Sequence, residues 1–371
     1  MGYTERYVTA AAGGGGDGSS GTPWTLAEAI TNAVGGDRVN ILSDATYTLG
    51  ASATFPAGTA ENPIQWRGYN ATIGDLLNTG RATATAALTV TDFPLIDCTA
   101  SFVITMGAYN SLVNLKITSG ANGITVTGGT SPYLYRCQIL NTHATGSAAR
   151  AFVGGSIYGC LVDCDCAIAS TSASAAIVDP GRGGIYGSRA WHTGTPNSAT
   201  TGILLTGVGA SAIGNLIFHI GSAFSGGATG TVAITRNTVY DANVGVLNPA
   251  SGLVIADNIF YNISTFAIGG TTGGNPLMWN NAMGALTSGR IDTGGLGSIN
   301  EEVNAITLTG DPFTSAAGED FTLNNTAGAG ALCRGGSLVF GGHADVGAVQ
   351  HEATAGGGLL THSGMTGGIN G

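Results

Sequence analysis

The chain has 371 residues, 43% of them hydrophobic, 7% aromatic and only 9% charged, with 63 glycines and a net charge of −10. Soluble domains carry roughly 25% charged residues, so Thr, Ser, Asn and Gly must cover much of this surface. With 12 basic residues against 22 acidic ones, no dense cationic run and a single lysine, Lys116, a phosphate-tracking nucleic-acid surface, a P-loop and lysine-pair Schiff-base chemistry are set aside.

Met1 to Tyr7 lacks a basic stretch followed by an apolar core, so no signal peptide is expected and synthesis is expected in a host cytoplasm. No apolar run approaches the roughly 18 residues of a membrane span. In that setting Cys98, Cys137, Cys160, Cys164, Cys166 and Cys333 read as reduced, buried thiols. Residues 1–36 read as a cap: a strand, a Gly-rich loop from Gly13 to Gly21, and a helix over residues 22–34 that plugs the end of the body. Trp24, Ala27, Ile30 and Val34 stand near helical spacing, Thr25 and Glu28 match a capping box, and Gly35 with Gly36 stops the helix.

Residues 37–350 repeat. The segments starting at Ser211, Val232, Leu253 and Pro276 share one pattern, in which Asn215, Asn237, Asn258 and Asn280 recur at steps of 22, 21 and 22. Upstream, Asn114, Cys137 and Cys160 stand at steps of 23. Such periods mark a solenoid, whose rungs bury their apolar faces only by stacking. The expected class is all-β, a right-handed parallel β-helix. Rungs stacked at roughly 4.8 Å place equivalent residues in columns, so the four asparagines are expected to form an amide ladder. Cys137 and Cys160 are expected there as small apolar fillers.

The flanks carry a resemblance. Tyr7-Val8-Thr9, the Gly-rich loop, Pro23 to Ile30, Gly36 to Val39 and Asn62 to Tyr69 look like the opening of the pectate-lyase-like β-helix proteins. Asp320 to Leu323 and Asp345 to Gln350 are similar to their closing segments. The resemblance implies the fold, in a superfamily of pectate lyases, other polysaccharide-cleaving enzymes, phage tailspikes and non-catalytic phage decoration proteins. The calcium-binding aspartates and basic residue of a pectate lyase have no counterpart in the sequence pattern, since Asp163 and Asp165 lie two rungs from Lys116.

Cys160, Cys164 and Cys166 surround Asp163 and Asp165, but strand alternation separates thiols from carboxylates, so core thiols, solvent-facing carboxylates and no metal are expected. Four residues past the bend, Thr118, Asn141, Cys164, His219, Asp241 and Asn262 read as one column, with Trp191 and His192 in an irregular rung between. His219 and Asp241 are expected within one rung spacing, beside a Trp of the kind that stacks on sugars; a solvated polar column is the plainer reading. Glycoside hydrolysis needs two carboxylates roughly 5–9.5 Å apart, and Asp241 with Asp257 is the best available pair. Gly207 to Ala212 and Gly13 to Gly16 read as turns, and no cofactor is expected.

Three functions remain: a non-enzymatic capsid cement or decoration protein, a tailspike, and a free polysaccharide lyase or hydrolase. The first is favoured, because neither an export signal nor a particle-binding domain precedes the cap. It carries expectations of a homotrimer in a virion, bound to the major capsid protein or other virion proteins, with a surface glycan as partner under the alternatives. A C-terminal arm, residues 351–371, is expected to make assembly contacts through Leu359, Leu360, Met365 and Ile369.

Overall fold

The computed structural model describes residues 2–76, 86–98, 102–120, 124–145, 149–154, 159–172, 175–196, 198–226, 233–249, 251–270, 274–292, 302–334 and 345–348. Short runs of Val, Ile, Leu and Thr between Gly, Ser and Asn bends form strands that pair in parallel, rung on rung, as a β-helix. Among the described residues, one sheet has 11 strands, from Thr4–Val8 to Leu277–Trp279; the other has 19 and continues around the coil. Strand alternation sends one column of the first sheet inward, where Leu112, Leu134, Leu161, Ile185, Ala212, Ile234 and Ile255 stack as a buried core.

The bend between the sheets takes two residues. The first adopts left-handed backbone, at Asn114, Arg136, Asp163, Gly187, Gly214, Arg236, Asp257 and Asn280. The second points inward, and from Asn215 onward it is the amide ladder. Asn215 Nδ2 donates to Ile185 O and to Asn237 Oδ1, each at 2.9 Å, and the Asn215 backbone N–H donates to the same Oδ1 at 2.9 Å. Asn237 and Asn258 repeat the pattern on Asn258 and Asn281. The ladder's fourth member is therefore Asn281. Asn280, expected in that place, is the left-handed residue before it and donates to Asp257 Oδ1. Adjacent asparagines at a bend cannot be told apart by spacing alone.

Upstream the register also differs from the expected constant step. Ser111, Tyr133, Cys160, Gly184, Ser211, Ala233, Val254 and Leu277 stack as one column, at steps of 22, 27, 24, 27, 22, 21 and 23. Loop length varies outside the strands, and the interval between Cys137 and Cys160 matched the period by coincidence. Cys137 and Cys164 fill the ladder position, and Cys160 lies on the opposite, outward face.

The helix spans Leu26–Asn32, with Thr25 as N-cap and a complete capping box from Glu28. Its buried side is Leu26, Ala29 and Ala33, whereas Val34 is 59% exposed. The helix starts after Trp24 and stops before Val34, so these two residues are not held to its face. Thr4–Val8 pairs with Asp37–Leu42, and Val8, Trp24 and the helix share the main core, which makes residues 4–34 continuous with the body. Parallel pairing ends at Ile306–Thr307. An antiparallel hairpin, Phe313–Ser315 with Asp320–Leu323, then folds back on the second sheet. The arm at 351–371, with Leu359, Leu360, Met365 and Ile369, lies outside the described residues.

Close stacking makes some glycines obligatory. A Cβ on Gly183 would lie 1.4 Å from the carbonyl oxygen of Gly159 in the rung beneath. Gly183→Ala is expected to cost about 3 kcal/mol, the upper part of the usual overpacking range, measured by urea unfolding; an unchanged midpoint would show that the rungs can spread.

Candidate functional site

A second corner, within the 19-stranded sheet, carries the outward polar residues. Register pairs Phe218 with Tyr240 and Ile220 with Ala242, and on the next rung Tyr240 with Tyr261 and Ala242 with Ile263, so His219, Asp241 and Asn262 stand in one column. All three have left-handed backbone, with φ of 51°, 52° and 58°, which turns them out of the sheet while Ile220, Ala242 and Ile263 stay in the core. Asn, Asp and His are the non-glycine residues that best tolerate this conformation.

His219 Nδ1 is hydrogen-bonded to Asp241 Oδ2, and Asn262 Nδ2 donates to Asp241 Oδ1 at 3.3 Å. The His219 and Asp241 side chains are 53% and 43% exposed. A carboxylate accepting from Nδ1 fixes the imidazole tautomer and leaves Nε2 toward solvent. Two residues further along the same strands, Ser264 Oγ donates to Asn243 Oδ1 at 2.8 Å, adding a second polar step beside the first. Of the expected column, His219, Asp241 and Asn262 stand together, whereas Thr118 is one residue out of register, its neighbour Ser119 pairing with Asn141, and Cys164 lies at the inner bend, because the steps upstream are not constant. Asn243 and Ser264 were missed, although each follows its column residue by two positions.

The remaining candidates disperse. Asp257 is at the bend, two residues before the strand Ile259–Ile263 that carries Asn262, so it does not join the column of Asp241 and the expected carboxylate pair is not formed there. Asp257 is also buried at the bend, where its carboxylate accepts from Asn280 and its carbonyl from Gly347 N at 2.7 Å. Trp191 is not an open platform. It stacks on Phe218 with centroids 5.9 Å apart and planes 4° apart, and the Arg189 guanidinium lies 5.2 Å from its ring centre. Phe218 and Tyr240 carry the stack onward, and Phe321 of the hairpin packs 5.4 and 5.5 Å from them; Phe313 covers Tyr240 and Tyr261. Buried Arg189 pairs with Glu319 at 2.6 Å, tying the hairpin down. That cover comes from about a hundred residues away in sequence, beyond the reach of any local pattern.

Asp163 pairs with Arg136 at 3.1 Å, and Asp165, expected at the surface, is buried and accepts from Leu88 N at 2.9 Å. Leu88, which lies between the strands Ile64–Tyr69 and Leu95–Asp97, replaces water as its donor. Among the described residues, no three of His, Cys, Asp and Glu gather closely enough to hold a metal ion.

Burial pushes the Cys98 and Cys333 thiols up to about 12 and Cys160 up to about 11, while Cys164, fully buried, is also raised. An unfolded thiol ionises near about 8.5, so between there and about 11 the unfolded chain loses protons that the native one keeps. The stability these buried neutral thiols contribute is intact below about 8.5 and declines as pH rises above it. Iodoacetamide at about pH 9 should leave the native thiols unmodified, Cys160 reacting first at higher pH, and label all six after unfolding; prompt native labelling of Cys98 or Cys333 would contradict their burial.

No family model and no curated protein matches the chain. Among solved structures, a pectate lyase, Pel9A, superposes with a TM-score of 0.64 over 95% of this chain and 97% of its own, at 14% identity. A lacto-N-biosidase from Eubacterium ramulus gives a TM-score of 0.47 at 11% identity, over 81% of this chain and 67% of its own. An alginate lyase from Paenibacillus gives 0.42 at 14%, over 75% and 95%. The first of these shares the fold seen here, a parallel β-helix. At 14% identity the likeness is one of fold.

Proposed function

We propose that this chain is a glycan-binding β-helix whose ligand lies along the His219–Asp241–Asn262 corner. One observation carries the reading: an imidazole, a carboxylate and an amide, hydrogen-bonded in register on three successive rungs and open to solvent. Exposed charge pairs contribute only about 0.2–1 kcal/mol to stability, so the fold does not depend on this one. A column of donors and acceptors repeating at roughly 4.8 Å suits an extended polymer of hydroxyl groups. A pectate lyase shares this architecture, and this supports glycans as the ligand class.

Charge narrows the class to neutral glycans. The chain carries −10, and Arg189, in the strand next to that of His219, is committed to Glu319. Among the described residues no free cation stands beside the column to draw in a polyuronate, which the net field repels. His219, with Nε2 outward, is the group placed to accept a proton from a bound sugar hydroxyl. The reading as a trimeric capsid decoration protein draws on the low charge and on the arm at 351–371, and the exposed corner favours the glycan reading.

Affinity electrophoresis through gels containing galactan, arabinan or β-glucan should retard the protein, and Asp241→Ala should lower the apparent affinity about tenfold, or about 1.4 kcal/mol, by freeing His219 and Asn262. Migration unaffected by every neutral polymer, or an Asp241→Ala protein that binds as well as the parent, would sink the proposal. Retardation by polygalacturonate alone would redirect it to acidic glycans.

A further inference from the structure

We propose that the outer face of the 11-stranded sheet is the docking surface for this chain's own C-terminal residues 349–371. The face divides sharply by chemistry. Its first three strands carry Glu5, Arg38 and Arg67 outward, joined by the Arg38–Glu5 contact at 3.1 Å and the Arg67–Glu5 contact at 3.9 Å. Over the next eight strands, Asn110–Val113 to Leu277–Trp279, the two outward columns that alternate with the buried leucine and isoleucine column hold no charged side chain. Tyr133, Tyr135, Tyr186, Ile213, Leu277 and Trp279 lie there, with Leu277 46% exposed. The Arg136–Asp163 pair sits at the margin, in the bend, with Arg136 over the Tyr135 ring.

Size selects the occupant. Eight strands at roughly 4.8 Å, two outward positions wide, span about 350 Å², within which Val113, Thr235 and Ala256 are already buried, so the open part is under half of the roughly 800 Å² that each partner of a stable protein pair buries. A single extended segment fits that area, and a second copy of the chain does not fill its own requirement there. The exit point selects the segment. Gly347 N donates to Asp257 O at 2.7 Å and Ala348 N donates to Thr238 Oγ1 at 3.0 Å. Asp257 directly follows Ala256, a buried residue in the outward-pointing column of this sheet, so Gly347 and Ala348 sit at the bend that borders the face.

From there 23 residues remain, able to extend roughly 75 Å, about twice the length of the patch. Residues 353–371 contain no Asp, Glu, Lys or Arg, and they carry Leu359, Leu360, Met365 and Ile369 among glycines. Past Glu352, a segment free of Asp, Glu, Lys and Arg thus follows within a few residues of the exit point, next to a face whose outward columns are also free of them. The tether holds it there at millimolar effective concentration, which favours its own sheet over that of another copy. This goes beyond the glycan reading, since the corner of His219 lies on the other sheet.

Two measurements test the proposal. Trp24 and Trp66 are buried and Trp191 is stacked under the hairpin, so Trp279 reports on this face. The double variant Leu359→Asp, Leu360→Asp should shift tryptophan emission to longer wavelength, and the shift should vanish in a Trp279→Phe background. In the otherwise unaltered chain, a photoreactive benzoylphenylalanine in place of Tyr186 should cross-link to a peptide within residues 349–371, in a monomer-sized product whose yield is unchanged on dilution. Unshifted emission, a dimer-sized product that fades on dilution, or a cross-link mapping elsewhere overturns the proposal.

Discussion

The structure depends on how a chain turns a corner inside its own core without stranding a backbone donor. At the bend between the two sheets, the residue after the left-handed position points inward, and its N–H has no carbonyl from a neighbouring strand in line. Asn237 Oδ1 takes the N–H of Asn215, Asn258 Oδ1 that of Asn237, and Asn281 Oδ1 that of Asn258. Each amide also donates to a carbonyl of the rung on its other side, Ile185, Ala212, Ile234 or Ile255. A buried donor left unpaired costs about 1–3 kcal/mol, so the column holds both the corner and the rung spacing. Its ends are closed by different chemistry. Ser188 N donates to Asn215 Oδ1 and Ser188 Oγ accepts from Cys164 N, while Glu302 accepts from Asn281 N and is held by Arg290.

The polar corner is a consequence of the same geometry. Left-handed positions in a solenoid recur once per rung, and residues that tolerate them are short and polar, so hydrogen-bonding groups come into line along the axis. At the inner bend such groups are consumed by the fold. At His219, Asp241 and Asn262 they face water. The aromatic stack beside them, Trp191 through Tyr261, is closed by the hairpin and by the Arg189–Glu319 pair, which leaves the polar column as the open part of this corner.

How much of this was legible follows from which contacts are local. The β-helix, the capping box at Thr25 and Glu28, and the joining of His219 to Asp241 and Asn262 all rest on periodicity, and a period survives in one dimension. The exchange of Asn280 for Asn281 and of Cys160 for Cys164 shows its limit: the column is defined by where strands end, and steps of 27 hide behind loops of variable length. Asp165, Asp257 and Trp191 looked available because nothing nearby in sequence covers them. Leu88, Asn280 and the hairpin with Phe321 do so in space.

The central claim is that the buried amide column holds the solenoid, and Asn258 tests it most directly. Its side chain donates to Ile234 O and to Asn281 Oδ1, and accepts from the backbone and side chain of Asn237. Asn258→Leu keeps the volume and removes all four bonds. Chemical denaturation should show a loss of at least about 3 kcal/mol, because the groups left behind are buried and without substitute. A variant as stable as the parent would mean that apolar stacking alone sets the rungs, and that the ladder is an ornament of the fold rather than its support.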